Sequence, residues 1–265
     1  MNLNGKTVVL TGATGGIGQA VAIAIADKGA SLILVSRSAD KLAAILPTLP
    51  GSGHKVVAAD ITLTQGRQKL VECVGGQVDV LINSAGINHF GLISEQTEQQ
   101  ITQMMEVNLL APILLTRSLL PALSHPGGTV VNMGSSFGSI GFAGYCGYSA
   151  SKFGLRGFTE ALRREMANSG PRVIYLAPRA TDTAMNPAEV VAMNRELGNT
   201  MDPPERVARE LIAILDSSKS VGFIGWPERF FVKLNSLFPS IVDSALAKQL
   251  PVIRRRAVAG APQEG

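Results

Sequence analysis

Three side chains in the middle of the chain have the types and the spacing to move a proton to or from a carbonyl oxygen. Tyr148 and Lys152 lie four residues apart, so on a helix they occupy the same face. Ser135 ends a predicted strand, from which a loop can fold it back towards the tyrosine. Reduction of a ketone needs a proton on the oxygen as hydride reaches the carbon. The spacing therefore predicts Tyr148 as an acid/base.

Lys152 and Ser135 supply what a tyrosine lacks for this task. The ordinary pKa of tyrosine is about 10, too high for efficient proton exchange at neutral pH. The Lys152 ammonium, together with the positive ring of an oxidised nicotinamide, is expected to favour tyrosinate and lower that pKa. The Ser135 hydroxyl can hold and polarise the substrate oxygen. The alternative is an amphipathic helix with an incidental Tyr and Lys. Tyr145 is such an incidental tyrosine, because Ser149, four residues on, offers no ammonium.

A glycine-rich turn follows the first predicted strand. Residues 11–18 read T-G-A-T-G-G-I-G, and a helix is predicted to begin inside this stretch. Glycine lets the backbone turn sharply and approach a pyrophosphate, whose charge is favoured by the N–H groups at a helix N-terminus. The position after the first strand of an alternating strand–helix chain favours a dinucleotide site over a tight turn without a ligand.

The residues after the second predicted strand bear on the choice of dinucleotide. Enzymes that prefer NAD usually place an acid there to bond the ribose 2′-hydroxyl, but this chain has Ser36 and Arg37. A guanidinium can pair with a 2′-phosphate through two bonds. The sequence therefore predicts a preference for NADP(H). NAD(H) stays an alternative, because Arg37 could simply start a solvated loop and because Gly15 stands where some NADP enzymes carry a second basic residue.

Short apolar runs alternate with longer helical patterns along most of the chain. The predicted strands are 7–11, 31–36, 55–59, 78–82, 129–133, 172–176 and 220–224, and the predicted helices are 16–28, 39–46, 65–74, 98–123, 148–168 and 204–215. Strands that alternate with helices form right-handed βαβ units with a parallel sheet. We therefore expect an α/β fold: a single doubly wound, Rossmann-type domain over residues 1–265, mainly parallel, with helices on both faces.

Composition excludes several other classes. Hydrophobic residues make up 46% and charged residues 17% of the chain, which indicates a well-buried fold rather than a disordered or fibrous one. The 24 basic residues are scattered rather than clustered with aromatics, unlike those of a nucleic-acid binder. Cys73 and Cys146 lack metal spacing and fit a reducing compartment. We expect a cytoplasmic protein without a nucleic-acid partner, a bound metal or a signal peptide.

Taken together, these motifs resemble the classical short-chain dehydrogenase/reductase family over most of the chain. The glycine spacing at Gly12, Gly16 and Gly18 matches the family pattern, as does Y-x-x-x-K at 148–152. The N-S-A-G string at 83–86 is similar to the family's N-N-A-G, with Ser in place of the second Asn. The resemblance implies an NAD(P)-dependent oxidoreductase with a tyrosine acid/base.

The resemblance also assigns site residues. It implies Asn108, Ser135, Tyr148 and Lys152 as catalytic, gives Lys152 a second contact with the nicotinamide ribose, and links Asn108 to a water in a proton relay. It places Asp60 against the adenine. With the residues argued above, the predicted cofactor-binding set is Thr11, Gly12, Thr14, Gly15, Gly16, Ile17, Gly18, Ser36, Arg37, Asp60, Ile61, Asn83, Ala85, Gly86, Tyr148, Lys152, Pro178, Thr181 and Thr183.

One departure from the family pattern follows the sixth predicted strand. The family usually has Pro-Gly there, with a threonine four residues after the glycine. Pro178 and Thr183 keep this register, but Arg179 replaces the glycine, which puts the backbone near the nicotinamide amide in doubt. Arg179 could contact an anionic substrate or the cofactor, and a surface role is an equal alternative.

Candidates for the substrate cleft come from the loops around these motifs. They are His89, Phe137, Phe142, Tyr145 and Met185. His89 and Cys146 have no metal or nucleophile partner in sequence, so we interpret both as lining residues. Phe137, Phe142 and Met185 would give the cleft apolar walls.

The sequence therefore predicts an NADP(H)-dependent oxidoreductase that interconverts a ketone and a secondary alcohol, with 3-oxoacyl (ketoacyl) chains as one substrate class. The alternative is a non-catalytic dinucleotide sensor or scaffold on the same fold. The complete Ser, Tyr, Lys and Asn set argues against it. In the family, the helices predicted at 98–123 and 148–168 pack as a four-helix bundle, so we expect a homodimer or homotetramer.

Residues 226–256 break the strand–helix rhythm and predict a helical C-terminal extension, with residues 257–265 frayed. Its apolar residues are spaced roughly as helical turns, and its six basic residues against two acids give it a net charge of +4: Arg229, Lys233, Lys248, Arg254, Arg255 and Arg256 against Glu228 and Asp243. We favour a cover over the substrate cleft or a neighbouring subunit, because an exposed apolar stripe invites aggregation. Peripheral attachment to an anionic membrane is the alternative.

Overall fold

The computed structural model describes residues 1–259 and has a seven-stranded parallel sheet at its centre. The strands are β1 (Thr7–Thr11), β2 (Ser31–Ser36), β3 (Lys55–Ala58), β4 (Val80–Asn83), β5 (Thr129–Met133), β6 (Arg172–Ala177) and β7 (Val221–Phe223). Their order is β3-β2-β1-β4-β5-β6-β7. The chain therefore reverses its direction of winding between β1 and β4, and at such a switch point the carboxyl ends of the strands leave a crevice for a ligand.

The helices cover both faces of the sheet. They are α1 (Gly16–Ala26), α2 (Ala39–Ile45), α3 (Thr64–Val74), α4 (Glu98–Met105), α5 (Ala111–Leu123), α6 (Cys146–Glu165), α7 (Ala188–Glu196), α8 (Pro204–Asp216), α9 (Glu228–Leu237), α10 (Pro239–Ala247) and α11 (Leu250–Ala259). Side chains alternate along each strand, so Val8 and Leu10 join the core under α1 and α8, while Val9 joins the core under α3 and α5. The doubly wound fold predicted from the sequence is confirmed.

The long helix predicted at 98–123 is interrupted in its middle. Thr97 and Gln100 cap its start reciprocally, and a π-helical turn, Glu106–Leu110, separates α4 from α5. Such turns carry one extra residue and frequently occur at functional sites. By length and mean hydropathy the whole segment could cross a membrane, but Leu115 and Leu119 are fully buried against the sheet.

Several predicted boundaries differ from the structure by one to three residues, among them those of β4 and α6. Strand β4 runs from Val80 to Asn83 rather than over 78–82, and α6 begins at Cys146 rather than Tyr148. Helix α7 was not predicted at all.

The C-terminal region forms the predicted helical extension, as helices α9, α10 and α11. The expectation that the chain frays from residue 257 is wrong up to Ala259, where α11 ends. The rest of that expectation, for residues 260–265, lies outside the described residues.

Candidate active site

A cavity of about 930 Å³ opens along the carboxyl ends of the strands. The loops after β1, β2, β3, β4, β5 and β6 line it, together with residues of α7, α9 and α10. Seventeen members of the predicted cofactor set border the cavity: Thr11, Gly12, Thr14, Gly15, Gly16, Ile17, Gly18, Ser36, Arg37, Asp60, Ile61, Ala85, Gly86, Tyr148, Pro178, Thr181 and Thr183. Tyr148 and Ser135 border the same cavity.

The glycine turn is packed so tightly that side chains are excluded. Gly12 has φ +68°, and a Cβ there would lie 2.7 Å from the Ala85 Cα. A Cβ on Gly18 would lie 2.1 Å from the Gly12 carbonyl oxygen, and one on Gly16 would lie 2.8 Å from the Thr183 methyl carbon. Gly16, Ile17 and Gly18, which form the first turn of α1, line the cavity, and a helix N-terminus in this place suits a pyrophosphate.

Hydrogen bonds join this turn to the neighbouring strands. The Thr11 hydroxyl accepts from the backbone N–H groups of Ser84 and Ala85 at 3.0 and 3.1 Å. The hydroxyls of Thr14 and Ser36 lie 2.8 Å apart, which ties the turn to the end of β2. Asp60 accepts from the Thr62 N–H and hydroxyl at 2.9 and 2.6 Å, so the loop after β3 is fixed as well.

Helix α6 carries Tyr148 and Lys152 into the site because two glycines let it approach its neighbour closely. A Cβ on Gly147 would lie 2.7 Å from the Met104 methyl group of α4, and one on Gly154 would lie 2.8 Å from Leu109 of the π-helical turn. The Lys152 ammonium donates to the Met133 carbonyl at 2.9 Å and lies 5.8 Å from the centre of the Tyr148 ring. Burial lowers the pKa of Lys152 to about 8.

The expected lowering of the tyrosine pKa is wrong for the protein without a cofactor. Burial raises the pKa of Tyr148, and the hydrogen bond with the Ser135 side chain opposes this only in part. The physical reason is the loss of solvation around the phenol, which the Lys152 ammonium, bonded to the Met133 carbonyl, does not offset. A buried phenol stays protonated at neutral pH, so Tyr148 is in the state that a proton donor requires.

Ser135 is held by a residue that the sequence did not suggest. It caps the short 3-10 turn Ser136–Gly138, and its hydroxyl accepts from the Phe137 N–H at 3.1 Å. The fully buried Tyr175 of β6 donates to the Ser135 carbonyl at 3.2 Å and accepts from its N–H at 3.4 Å. A tyrosine in the middle of an apolar strand gives the same sequence signal as any core residue, which is why its role was missed.

Asn108 lies in the π-helical turn and is fully buried. Its amide oxygen accepts from the Ile87 N–H at 2.8 Å, and its amide nitrogen donates to the Ile87 carbonyl at 2.9 Å and to the Ser151 hydroxyl at 3.1 Å. Asn108 therefore ties the loop after β4 to α6, one residue from Lys152.

Two members of the predicted cofactor set do not border the cavity. Asn83 is buried, and its amide donates to Thr116 at 3.0 Å and to Asn132 at 2.8 Å. This residue joins β4 to β5 and α5, which corrects the prediction of a cofactor contact. Lys152 lies behind Gly86, whose hypothetical Cβ would be 3.7 Å from the ammonium. Because Gly86 has no side chain, only its backbone lies between Lys152 and the cavity.

The substrate end of the cavity is apolar. Phe137 and Phe142 stack with ring centres 4.9 Å apart, and Tyr145 packs against both. These three residues and Met185 line the cavity as predicted. His89 does not, and neither does Cys146, which is exposed at the first turn of α6. Their proximity in sequence to true lining residues was misleading, because neighbours on a loop face different directions.

Arg179, which replaces the family's glycine, forms an ion-pair cluster. Its guanidinium donates to both carboxylate oxygens of Asp202, at 2.9 and 2.7 Å, and lies 3.4 Å from Glu228 of α9. Arg206 bonds Asp202 as well, at 2.8 Å. No residue other than glycine has a positive φ in residues 1–259, so the substitution causes no backbone strain of that kind. Arg179 lines the cavity, and its largely buried guanidinium is paired with carboxylates of the protein, which corrects the surface interpretation.

Several lining residues were missed because they belong to elements that the motifs do not mark. Helix α7 contributes Val190, Met193 and Asn194. The C-terminal region contributes Trp226, Pro227, Glu228, Phe231, Val242, Ala245, Leu246 and Gln249. The favoured interpretation of the C-terminal extension, a cover over the substrate cleft, agrees with these positions.

Comparison with known proteins gives consistent matches. The family model described as short chain dehydrogenase matches residues 6–193. The chain is 33% identical over 225 residues to carbonyl reductase family member 4 of Danio rerio, covering 83% of this chain and 94% of that protein. It is 34% identical over 192 residues to the 3-oxoacyl-[acyl-carrier-protein] reductase FabG of Vibrio cholerae, covering 71% and 78%. A solved 3-ketoacyl-(acyl-carrier-protein) reductase of Brucella melitensis, complexed with NADH, superposes with a TM-score of 0.76 at 25% identity, covering 85% and 99%.

Proposed function

Because the chain belongs to the short-chain dehydrogenases, which are NAD(P)-dependent oxidoreductases, we propose that it interconverts apolar ketones and secondary alcohols with NADP(H). The observation that carries this proposal is the convergence of two sites on one cavity. The glycine turn lines the same cavity as Tyr148 and Ser135, beside which Phe137, Phe142 and Tyr145 give an apolar wall.

The residues present fit a nicotinamide dinucleotide. The turn admits no side chain at Gly12, Gly16 or Gly18 without a clash, so its backbone lines the cavity directly, together with Gly16, Ile17 and Gly18 at the start of α1. Asp60 and Ile61 would border the adenosine, while Pro178, Thr181 and Thr183 would border the nicotinamide end. When bound, the cofactor supplies or accepts the hydride at the reacting carbon.

Side chains of the protein transfer the proton. Ser135 would hold the carbonyl oxygen through its hydroxyl, and Tyr148 would donate the proton to that oxygen during reduction or accept it during oxidation. Lys152, behind Gly86, places a positive charge 5.8 Å from the Tyr148 ring and stabilises the tyrosinate left after proton transfer. Asn108 and Tyr175 keep α6 and Ser135 in position.

The proposed preference for NADP(H) rests on Arg37. This residue is exposed at the end of β2 and lines the cavity. Within residues 1–259, no carboxylate lies within 4.0 Å of it. The guanidinium is therefore available to a 2′-phosphate, and no acid at this position would repel that group.

The proposed substrate class follows from the walls of the cavity. Stacked phenylalanines, Val190, Met193 and residues of α9 and α10 surround the space in front of Tyr148. An aliphatic or acyl chain attached to the carbonyl would bury its surface there. The names of the Danio rerio and Vibrio cholerae relatives, a carbonyl reductase family member and a 3-oxoacyl reductase, support this class.

We also propose a homodimer or homotetramer. Leu110 of the π-helical turn and Phe153 of α6 are exposed, although their helices are otherwise packed on the sheet. Two copies could bury these surfaces in a four-helix contact. Static light scattering at micromolar concentration is expected to show at least a dimer, and a monomer would contradict the proposal.

The reaction is tested by following NADPH oxidation with a panel of ketones, aldehydes and 3-oxoacyl thioesters, repeated with NADH. We expect turnover with apolar ketones or 3-oxoacyl thioesters and a lower KM for NADPH. Tight NADPH binding without turnover of any panel member would favour the dinucleotide sensor instead.

A further inference from the structure

The helices of the C-terminal region concentrate exposed apolar side chains. Sixteen large hydrophobic side chains are exposed within residues 1–259, and six of them fall between positions 226 and 241. They form what we call the apolar patch: Trp226, Phe230, Phe231, Leu237, Phe238 and Ile241. Trp226 and Leu237 are each 72% exposed, whereas the hydrophobic residues of the core are buried. Patches of this kind mark sites of interaction.

Trp226 and the aromatic members of the patch on α9 lie next to one another, and the other members follow at the end of α9 and the start of α10. The ring centres of Trp226 and Phe230 lie 5.9 Å apart, and those of Phe230 and Phe231 lie 5.8 Å apart. Phe230 and Leu237 are two helical turns apart on α9, so they share its outer face. The Ile241 N–H donates to the Phe238 carbonyl, which brings the start of α10 beside the end of α9.

The opposite face of α9 is fixed to the protein. Val232 is buried, and the Asn235 amide donates to the Ser139 carbonyl at 2.9 Å. Glu228 pairs with Arg179. Helix α9 is therefore held down on its inner face, and the apolar outer face is a stable feature of the surface.

Basic side chains accompany the patch. Arg229 and Lys233 lie on α9 one turn apart, and both are exposed. Within the described part of the chain, neither lies within 4.0 Å of a carboxylate. Arg255 and Arg256, in contrast, pair with Glu196 of α7. The ion pairs of α11 attach the C-terminal region to α7. Arg229 and Lys233 on α9 have no such pairs among the described residues, so they can bind an anion.

The patch is continuous with the mouth of the cavity. Trp226 and Phe231 belong to the patch and also line the cavity, and Val242 of α10 lines it from the next helix. Whatever covers the patch therefore lies at the entrance to the apolar end of the active site.

We propose that the apolar patch docks on an anionic lipid surface and opens the cavity towards the bilayer. An apolar helical face with Trp and Phe beside exposed Arg and Lys has the chemistry of an interfacial helix. A second copy of the chain on a two-fold axis would bring Arg229 and Lys233 towards their equivalents, which is unfavourable. The docking does not depend on the reaction. The delivery of a membrane-dissolved ketone to Tyr148 rests on the proposed function.

Cosedimentation of the full chain with vesicles of phosphatidylglycerol and phosphatidylcholine in equal parts tests the docking without substrate or cofactor. We expect binding at about 0.1 M salt and weak binding at about 1 M, where the screening length falls to about 3 Å. The patch variant Phe230→Ser/Leu237→Ser/Phe238→Ser should lose binding, and Arg229→Gln/Lys233→Gln should weaken it about tenfold or more.

Matched controls separate the patch from general surface properties. Ile93→Ser removes an apolar side chain of 55% exposure, equal to that of Phe238, from another region. Lys28→Gln/Lys219→Gln removes two exposed charges that precede β2 and β7, at the opposite edge of the sheet. Both controls should bind vesicles like the wild type. The proposal is overturned if the wild type fails to bind at low salt, or if the patch variant binds equally well.

Two further measurements distinguish the remaining explanations. If light scattering shows that the patch variant dissociates an oligomer while the wild type ignores vesicles, the patch is a subunit contact and the proposal fails. The activity of the wild type and of every variant on a water-soluble ketone is measured in parallel. If the wild type has no activity, that result counts against the proposed function and does not change the conclusion drawn from vesicle binding. None of the substituted residues lines the cavity.

Discussion

The carboxyl edge of the sheet and the C-terminal cap, residues 226–259, border the same cavity but are built in opposite ways. At the edge, Ser135, Lys152 and Asn108 are buried, and each has defined hydrogen-bond partners. In the cap, Val232, Val242 and Ile253 are the buried anchors, while most neighbouring side chains are exposed. The proposed proton-transfer residues thus have fixed partners around the sheet edge, whereas the cap leaves most of its side chains exposed.

Among the residues that support Tyr148 at the sheet edge, the largest effect is expected from Lys152→Met. Loss of the ammonium should lower kcat by about a hundredfold or more and also weaken NADPH binding. The folded state disfavours this buried ammonium, as its pKa of about 8 shows, so the melting temperature should not fall. Lys69→Met is the control, since Lys69 also donates to a backbone carbonyl, that of Ala58, but does so at the surface. A variant that loses stability and activity together would indicate a merely structural lysine.

Cofactor choice is expected to change next most with Arg37→Ala. Loss of one charge-assisted pair, about 1–3 kcal/mol, should weaken NADPH binding roughly five- to a hundredfold and leave NADH binding unchanged. Fluorescence titration of both cofactors measures this difference. Arg209→Ala, which removes an exposed arginine of α8 that does not line the cavity, serves as the control. Equal affinities of the wild type for the two cofactors would refute the assignment.

Attachment of the cap is probed by Arg179→Met. The bonds from Arg179 to Asp202 and Glu228 join the end of β6 to α9, and their loss should cost about 2 kcal/mol of unfolding free energy. Urea denaturation compares this variant with Arg209→Met, which should equal the wild type.

The same cluster has a pH signature. Burial of Asp202 would raise its pKa, but the hydrogen bond and charge of Arg179 and the charge of Arg206 outweigh burial and lower the pKa. Because the pKa of Asp202 is lower in the folded state than in the unfolded state, its carboxylate stabilises the fold above about pH 4. This stabilisation is lost below that pH. The difference between the wild type and Arg179→Met should therefore shrink in acid, and a constant difference would argue against the ion pairs.

The smallest expected effect is a change of rate with pH. Because the pKa of Lys152 is lowered to about 8, kcat/KM for ketone reduction should decline as the pH rises through 8 and the ammonium is lost. Tyr148 cannot cause this decline, since its pKa is raised. A profile that stays flat well above pH 8 would show that the charge of Lys152 is not required.

The sequence predicted the sheet edge far better than the cap, for physical reasons. The glycine turn and the pair Tyr148 and Lys152 depend on local geometry, which neighbouring residues determine. Arg179 could not be interpreted, because its partners lie 23 and 49 residues away. Helix α7 contains adjacent valines, which lower helix propensity, and it is stabilised by burial of Val190 and Met193.

The direction in which a side chain points was the other feature that the sequence did not predict. Asn83 and His89 were assigned to the cavity from their positions beside motifs, yet Asn83 points into the core and His89 does not line the cavity. The predicted direction of the Tyr148 pKa was wrong because the sequence alone does not reveal how much the fold desolvates the phenol.

The most direct test of the central claim, that proton transfer occurs at the sheet edge through Tyr148, is to measure turnover and NADPH affinity of Tyr148→Phe. Tyr145→Phe is the matched control, because its ring lies 6.2 Å from that of Tyr148 in the same aromatic cluster. The account predicts that Tyr148→Phe loses turnover by about 10²–10⁴-fold on a verified ketone while its NADPH dissociation constant stays unchanged. Tyr145→Phe should retain most of the activity. Near wild-type turnover in Tyr148→Phe would contradict the account.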